Sequence, residues 1–306
     1  MDWRVKGMIQ KTLGVVPGGE RINDLLQKTL GDLKRFESNT DAKVKNDWGP
    51  LVSHMREVGL SPQDLDYVEV GSGWYPTLPL CYALAGAKRC LTYDIRRHMS
   101  EELTFRVLRS LERHLPHIAS VSGQPVQQVM ALHASLMNCH TLPELLKTAR
   151  IEYLAPGDAA DTKLPPQSVD VVYSNSVLEH VPAEVIRRIF REAKRILKPD
   201  GVTVHSVACN DHYAHFDRNI TFINYLQYGE GEWDWWNTKF LYQNRLRPQD
   251  FLRLVQESGL NVVLTKQKPR PDLLAKLPGM KIAPEFARYS AEELCSTFID
   301  FVARPV

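Results

Sequence analysis

The sequence predicts an α/β protein: a doubly wound, mostly parallel seven-stranded sheet with an N-terminal helical cap and a helical insertion. Three observations carry this expectation. A short apolar strand, Asp66-Tyr67-Val68-Glu69-Val70, runs straight into Gly71-Ser72-Gly73 and then into a helix. A second strand, Arg89-Cys90-Leu91-Thr92-Tyr93, follows at once and ends on an acid, Asp94. Strand-like runs then alternate with helix-like runs as far as residue 208, the pattern of βα units that build a parallel sheet.

Residues 20–59 read as helical, with an imperfect stripe of Leu25, Leu26, Leu30 and Leu33. Asp47-Trp48-Gly49-Pro50 reads as the opening of a second helix that ends near Gly59. After the first strand a helix runs from Leu78 to Ala85, and Gly86 is placed to end it. Residues 99–149 are mostly helical, far longer than the dozen or so residues a crossover needs, so an inserted helical subdomain is expected. Ile151–Leu154 and Val169–Ser174 read as the third and fourth strands, and a helix over 182–197 carries Val185, Ile189, Ala193 and Ile196 on one face. Lys198-Pro199-Asp200-Gly201 reads as a turn before a fifth strand, Val202–Ala208. Residues 210–247 show no periodicity. A helix at 248–258, strands at 262–264 and 297–303, and a Pro-rich loop over 266–290 complete the reading.

The formal net charge is only +2, which gives no electrostatic reason to expect a nucleic acid or an anionic membrane as partner. The five cysteines are odd in number, widely spaced and without a CxxC pair, so neither a disulfide framework nor a structural zinc site is expected. A reducing, cytoplasmic compartment fits that usage. No apolar run reaches the roughly 18–20 residues needed to cross a bilayer. The N-terminal stretch reads as an amphipathic helix that packs on the domain or touches a membrane surface, without the marks of a signal peptide.

Glycines between a strand and a helix let the backbone turn tightly and approach a ligand closely. Taken alone, Gly71-Ser72-Gly73 is also what a tight ligand-free turn looks like. Asp94 is placed to accept both hydroxyls of a ribose, though an acid there also serves as a helix cap. Together the two are far more specific. A dinucleotide fingerprint would need glycine at 76, where the residue is Pro76.

With these blocks and three more, Gly157–Pro165, Ser168–Val181 and Arg195–Gly201, the chain resembles the class I (Rossmann-like) S-adenosylmethionine-dependent methyltransferase family, small-molecule type. The resemblance spans roughly 66–208, interrupted by 99–149. It implies S-adenosyl-L-methionine as cofactor, with S-adenosyl-L-homocysteine as product. It assigns the methionine moiety to the glycine loop, the ribose to Asp94 and the adenine to Asp158 and Ala159. The cofactor set expected is therefore Glu69, Gly71, Ser72, Gly73, Asp94, Asp158, Ala159, Ser174 and Asn175. One departure is Tyr75, where the family often has a third glycine. It either reshapes the loop or makes an aromatic wall beside the cofactor.

On the acceptor side, Ser174-Asn175-Ser176-Val177 lacks the Asn-Pro-Pro-Tyr pattern of enzymes that methylate DNA amino groups. His180, His212 and His215 are the candidate catalytic residues, as orienting groups or general bases. Capping and pocket-wall roles remain open for each. His212-x-x-His215-x-Asp217 also has a metal-like spacing, but no metal site is assigned. In the aromatic stretch, Trp233, Trp236, Tyr242, Asn244 and Arg245 are the candidate acceptor-binding residues, against a packed aromatic cluster or a dimer interface.

The expected organisation is a helical cap over 1–60 and a methyltransferase domain over 61–306, with the insertion at 99–149 and an acceptor lid at 210–247. The expected activity is O- or N-methylation of a small-molecule acceptor, with natural-product or sugar metabolism as candidate settings. No nucleic acid or membrane partner is expected, and a homodimer is left open. The alternatives are a non-catalytic methyltransferase-like binding or regulatory subunit, and a nucleic-acid or protein methyltransferase.

Overall fold

A computed structural model describes residues 2–16, 36–238 and 240–306. The leucine stripe at Leu25–Leu33 lies outside the described residues. Seven strands form one sheet: β1 (Asp66–Val70), β2 (Arg89–Tyr93), β3 (Ile151–Leu154), β4 (Val169–Asn175), β5 (Leu197–Ala208), β6 (Leu260–Lys266) and β7 (Phe298–Pro305). Their order is β3-β2-β1-β4-β5-β7-β6. The pairs β1–β2, β1–β4, β2–β3 and β4–β5 are parallel, whereas β7 runs antiparallel to both β5 and β6. The carboxyl ends of the parallel strands therefore share one edge of the sheet, where ligands of open α/β folds bind.

The helices are α1 (Trp3–Val15), α2 (Phe36–Ala42), α3 (Gly49–Glu57), α4 (Thr77–Leu84), α5 (Glu101–Leu111), α6 (Leu115–Ser122), α7 (Val126–Met137), α8 (Leu142–Thr148), α9 (Ala183–Ile196), α10 (Glu230–Trp236), α11 (Pro248–Glu257), α12 (Pro271–Lys276) and α13 (Ala291–Cys295). Strand side chains alternate between faces. Tyr67, Val171 and Tyr173 join one core with Leu51, Leu80, Leu108 and Ile118 from α3–α6. Val68, Val70 and Val172 join a second core with Ile186, Phe190 and Phe251 from α9 and α11. The helices of 99–149 thus share the core of α2–α4 on one face of the sheet.

A third, aromatic core joins Trp3 of α1 to Tyr213, Tyr225, Trp233 and Phe286. The amide of Trp3 donates to Asp217 Oδ2 at 3.0 Å. A Cβ at Gly7 would stand 3.0 Å from the Trp236 ring, so the absence of a side chain lets α1 lie close against the aromatic segment. The amphipathic N-terminus packs on the domain, leaving Val5, Met8 and Ile9 on its outer side.

Four details differ from the sequence expectation. Asp47-Trp48 does not open a helix. The chain stays helical from Phe36 to Glu57 through a wider-wound π segment, Lys43–Trp48, and turns out at Gly59 (φ +85°). Lys198–Gly201 is not a free turn before β5 but an excursion within it. Val169 pairs with Leu197 and Val171 with Val202, so four residues of β5 bulge opposite Asp170 alone. The loop over 266–290 contains α12, with Pro271 at its start, where a missing amide costs nothing. The aperiodic 210–247 contains α10 and short 3₁₀ turns at His212–His215 and Asn224–Gln227.

Candidate active site

At the carboxyl edge of the sheet a cavity of about 940 Å³ opens between the ends of β1, β2 and β4. Its lining includes Glu69, Gly71, Ser72, Gly73, Asp94, Asp158, Ala159, Asn175 and His180. Gly71 sits at φ +88°, and a Cβ there would be 2.5 Å from a Val177 methyl. Gly73 sits at φ +64° with nothing within 4 Å of its missing Cβ, so the loop presents bare backbone where space is open.

Beneath the loop, the Thr92 hydroxyl reaches both Glu69 Oε2 and Ser72 Oγ. With one proton to give, Thr92 donates to the carboxylate and accepts from Ser72. Burial pushes the Glu69 carboxyl up to about 7, partly opposed by the hydroxyls of Thr92 and Tyr173. Asp94 accepts from the Gly73 amide at 3.1 Å and the Arg96 amide at 3.0 Å. The acid after β2 is thereby tied to the glycine loop after β1.

On the far wall, Gly157 could not carry a side chain: its Cβ would stand 2.6 Å from the Leu154 carbonyl. Asp158 Oδ1 accepts from the Ala160 amide at 2.8 Å and Oδ2 pairs with Arg188 at 3.2 Å. Val177, Val185 and Ile189 add an apolar strip. Ser176, at φ +54°, turns the chain so that Val177 passes beneath Gly71.

Ser174 is not on the wall. Its side chain is fully buried and bonds to His205 Nδ1 at 2.7 Å. Its neighbour Asn175 does face the cavity and donates to Asp47 Oδ2 at 3.1 Å. Lys43, Asp47 and Tyr75 also line the cavity; sequence reasoning gave Lys43 and Asp47 no cofactor-binding role, and offered Tyr75 as reshaping the loop or making an aromatic wall beside the cofactor. Lys43 and Asp47 come from the π segment, and burial raises the Asp47 carboxyl. Tyr75 packs against Phe36, with ring centroids 5.3 Å apart, and forms the aromatic wall where a third glycine would stand.

The three candidate histidines come together. The rings of His180 and His212 are 4.9 Å apart, and those of His212 and His215 are 5.7 Å apart. His180 Nδ1 lies 2.7 Å from the Tyr242 carbonyl. His180 keeps solvent contact through the open cavity, yet the protein around it holds its pKa below the usual range. Burial, then the nearby His180, His215 and Lys6, push His212 down to about 3. Burial and Lys6 also lower His215.

The candidate acceptor residues divide differently from expectation. Trp233 is 1% exposed inside the aromatic core. Arg245 is occupied by the Tyr225 and Tyr228 carbonyls and Glu285, with its guanidinium over the Trp233 and Phe286 rings. Asn244 donates to the Leu178 and Val181 carbonyls at 2.7 and 2.8 Å, clamping the turn that carries His180. Trp236 packs on Trp3 at 4.8 Å. These are structural contacts, because aromatic rings and amides in an aperiodic segment must first satisfy one another. Of the five, Tyr242 meets the histidine group, through its carbonyl.

A methyltransferase domain model matches residues 117–205, from α6 to β5, so the glycine loop and Asp94 lie outside the matched segment. No curated protein matches the chain. Similar solved structures include an S-adenosylmethionine-dependent methyltransferase from Mesorhizobium loti, at 18% identity with 82% of this chain and 95% of that one covered and a TM-score of 0.43. Geranyl diphosphate methyltransferase in complex with S-adenosylmethionine matches at 12% identity, 88% and 90% coverage and a TM-score of 0.47. The cyclase SpnF matches at 12% identity, 84% and 80% coverage and a TM-score of 0.46.

The matched segment identifies a methyltransferase domain over residues 117–205, and the strand order places it in a doubly wound α/β sheet. The cofactor that the sequence resemblance implies is S-adenosylmethionine. The cleft suits that group: bare backbone at Gly73, a carboxylate at Asp94 and an apolar strip are the surfaces that a methionine chain, a ribose and an adenine need. Among the described residues no helix is long and apolar enough to cross a membrane.

Proposed function

We propose that the enzyme transfers the methyl group of S-adenosylmethionine to an oxygen or nitrogen of a small-molecule acceptor. The observation that carries this reading is the histidine group, in which His180 lines the cavity and His212 and His215 follow it ring to ring. A concave cavity of about 940 Å³ suits a compact acceptor better than an extended polymer. The net charge of +2 likewise offers no field for a nucleic acid.

In this reading Gly71–Gly73 and Glu69 hold the methionine end, Asp94 the ribose, and Asp158 and Ala159 the adenine side. Asn175, steadied by Asp47, borders the methionine end. When bound, the cofactor supplies an electrophilic sulfonium methyl. The acceptor's lone pair forms the new bond to that carbon as the carbon–sulfur bond breaks, and the pair of that bond stays on sulfur. The chain's contribution is to hold the reactants in line and to take the acceptor's proton on a nearby imidazole.

The test is a screen of hydroxylated, aromatic and amine metabolites for acceptor-dependent formation of S-adenosylhomocysteine. Turnover with a small acceptor that falls at least tenfold in His215→Ala supports the reading. Turnover confined to RNA, DNA or protein acceptors contradicts it.

A further inference from the structure

Outside the cofactor contacts, one group of side chains is unexplained by methyl transfer alone. Glu179, His180 and His212 each place a ligating atom within 4.8 Å of the others. Topology brings them together. Glu179 and His180 lie on the 3₁₀ turn Leu178–His180 after β4, and His212 opens the turn after the adjacent β5.

Glu179 is 2% exposed, and neither of its carboxylate oxygens completes a hydrogen bond. Its own amide and that of Ala208 act on it without satisfying it. A buried carboxyl without partners is costly and calls for a counterpart. Neither oxygen touches solvent, so a bulky acceptor group does not reach them. A bare ion between three side chains does.

His180 is oriented as a ligand. The Tyr242 carbonyl only accepts, so Nδ1 at 2.7 Å from it carries the proton and Nε2 keeps its lone pair. An imidazole whose outer nitrogen donates to a carbonyl is the usual arrangement of a metal-bound histidine. His212 makes ring contacts with His180 and His215, and no ring hydrogen bond of its own is found among the described residues.

We propose that Glu179, His180 and His212 bind one divalent first-row transition-metal ion. Two imidazoles and one carboxylate suit zinc, iron, cobalt or manganese better than magnesium or calcium, which prefer all-oxygen shells. Three protein ligands leave coordination positions open, and His180 lines the cofactor cavity. Metal–ligand bonds of about 2.0–2.2 Å put ligand atoms roughly 3–3.5 Å apart. The present spread of up to 4.8 Å therefore closes by small side-chain rotations.

The ligand set differs from the His212-x-x-His215-x-Asp217 spacing of the sequence. Asp217 is engaged by the amides of Trp3 and Asn219, each at 3.0 Å. His215 stays outside the set and remains the proton acceptor. The inference rests on the proposed function only for what fills the open positions, an oxygen or nitrogen of the acceptor.

The test uses the full chain, stripped with a chelator and titrated with Co²⁺, followed by visible absorption and metal analysis. S-adenosylhomocysteine binding is measured on the same sample. The expected result is one Co²⁺ per chain, displaced by Zn²⁺. Glu179→Gln and His212→Ala weaken it at least about 100-fold, while His215→Ala and the exposed His140→Ala bind as the parent does. Should Glu179→Gln fail to fold, His212→Ala carries the test. Protein that binds S-adenosylhomocysteine but no Co²⁺ overturns the metal site alone, as does undiminished Co²⁺ binding by His212→Ala. Co²⁺ binding without S-adenosylhomocysteine binding leaves the metal site standing and removes the cofactor cleft.

Discussion

The Asp94 carboxylate accepts the Gly73 amide at 3.1 Å, so one side chain both shapes the glycine loop and borders the cofactor cavity. Under the proposed function Asp94→Ala removes a ribose acceptor, and it releases the loop. Its affinity for S-adenosylhomocysteine is expected to fall at least about tenfold, or ~1.4 kcal/mol. Asp94→Asn keeps an acceptor for the Gly73 amide and is expected to lose less. Calorimetric titration of both variants measures the difference.

Gly71 and Gly73 share a left-handed backbone but not an environment. Gly71→Ala drives a methyl into Val177, whereas Gly73→Ala places one in open space. Each costs about 1–2 kcal/mol for the backbone alone. Thermal unfolding without ligand is therefore expected to show Gly71→Ala as the less stable. Gly73→Ala is expected to lose mainly cofactor affinity, because its methyl projects into the cavity.

His205 is fully buried between Ser174 and Thr203, and burial pushes its pKa down to about 3. Its unfolded value is about 6.5. Between these values the unfolded chain binds a proton that the folded chain does not. The contribution is intact above pH ~6.5 and is lost as pH falls toward 3. Glu69 and Asp211 act oppositely, being raised by burial to about 7 and about 6, so the folded state retains their protons longer as pH rises. The His205 effect is isolated by comparison with His205→Gln. Denaturant unfolding from pH 7 to 4 is expected to show the parent losing more stability than the variant.

Trp233 belongs to the aromatic core and not to a recognition surface. Trp233→Ala is expected to cost about 3–5 kcal/mol of stability, the range for a buried aromatic. Asn244→Ala strands the Leu178 and Val181 carbonyls, with an expected cost of about 1–3 kcal/mol. Because the clamped turn carries His180, turnover should fall while S-adenosylhomocysteine affinity holds. Parallel unfolding, binding and activity measurements check both.

What the sequence made legible was local. The strand, glycine loop, helix, strand and acid from Asp66 to Asp94 follow one another in the chain, and each has its own residue chemistry. The bounds of β1, β2 and β3 were readable for that reason. Side-chain direction at Ser174 was not, because it depends on its register opposite His205 in β5. Lys43 and Asp47 reach the cavity through a π segment and tertiary packing that no periodicity reveals. Trp233, Asn244 and Arg245 lie where no repeat fixes which way a side chain points. The isolation of the Glu179 carboxylate follows only from the packing of two strand ends.

The most direct test of the account is calorimetric titration of the purified chain with S-adenosylhomocysteine, with NADH as control. The account predicts one site of micromolar affinity for S-adenosylhomocysteine and no binding of NADH. A folded chain that binds neither, or binds only NADH, would contradict it.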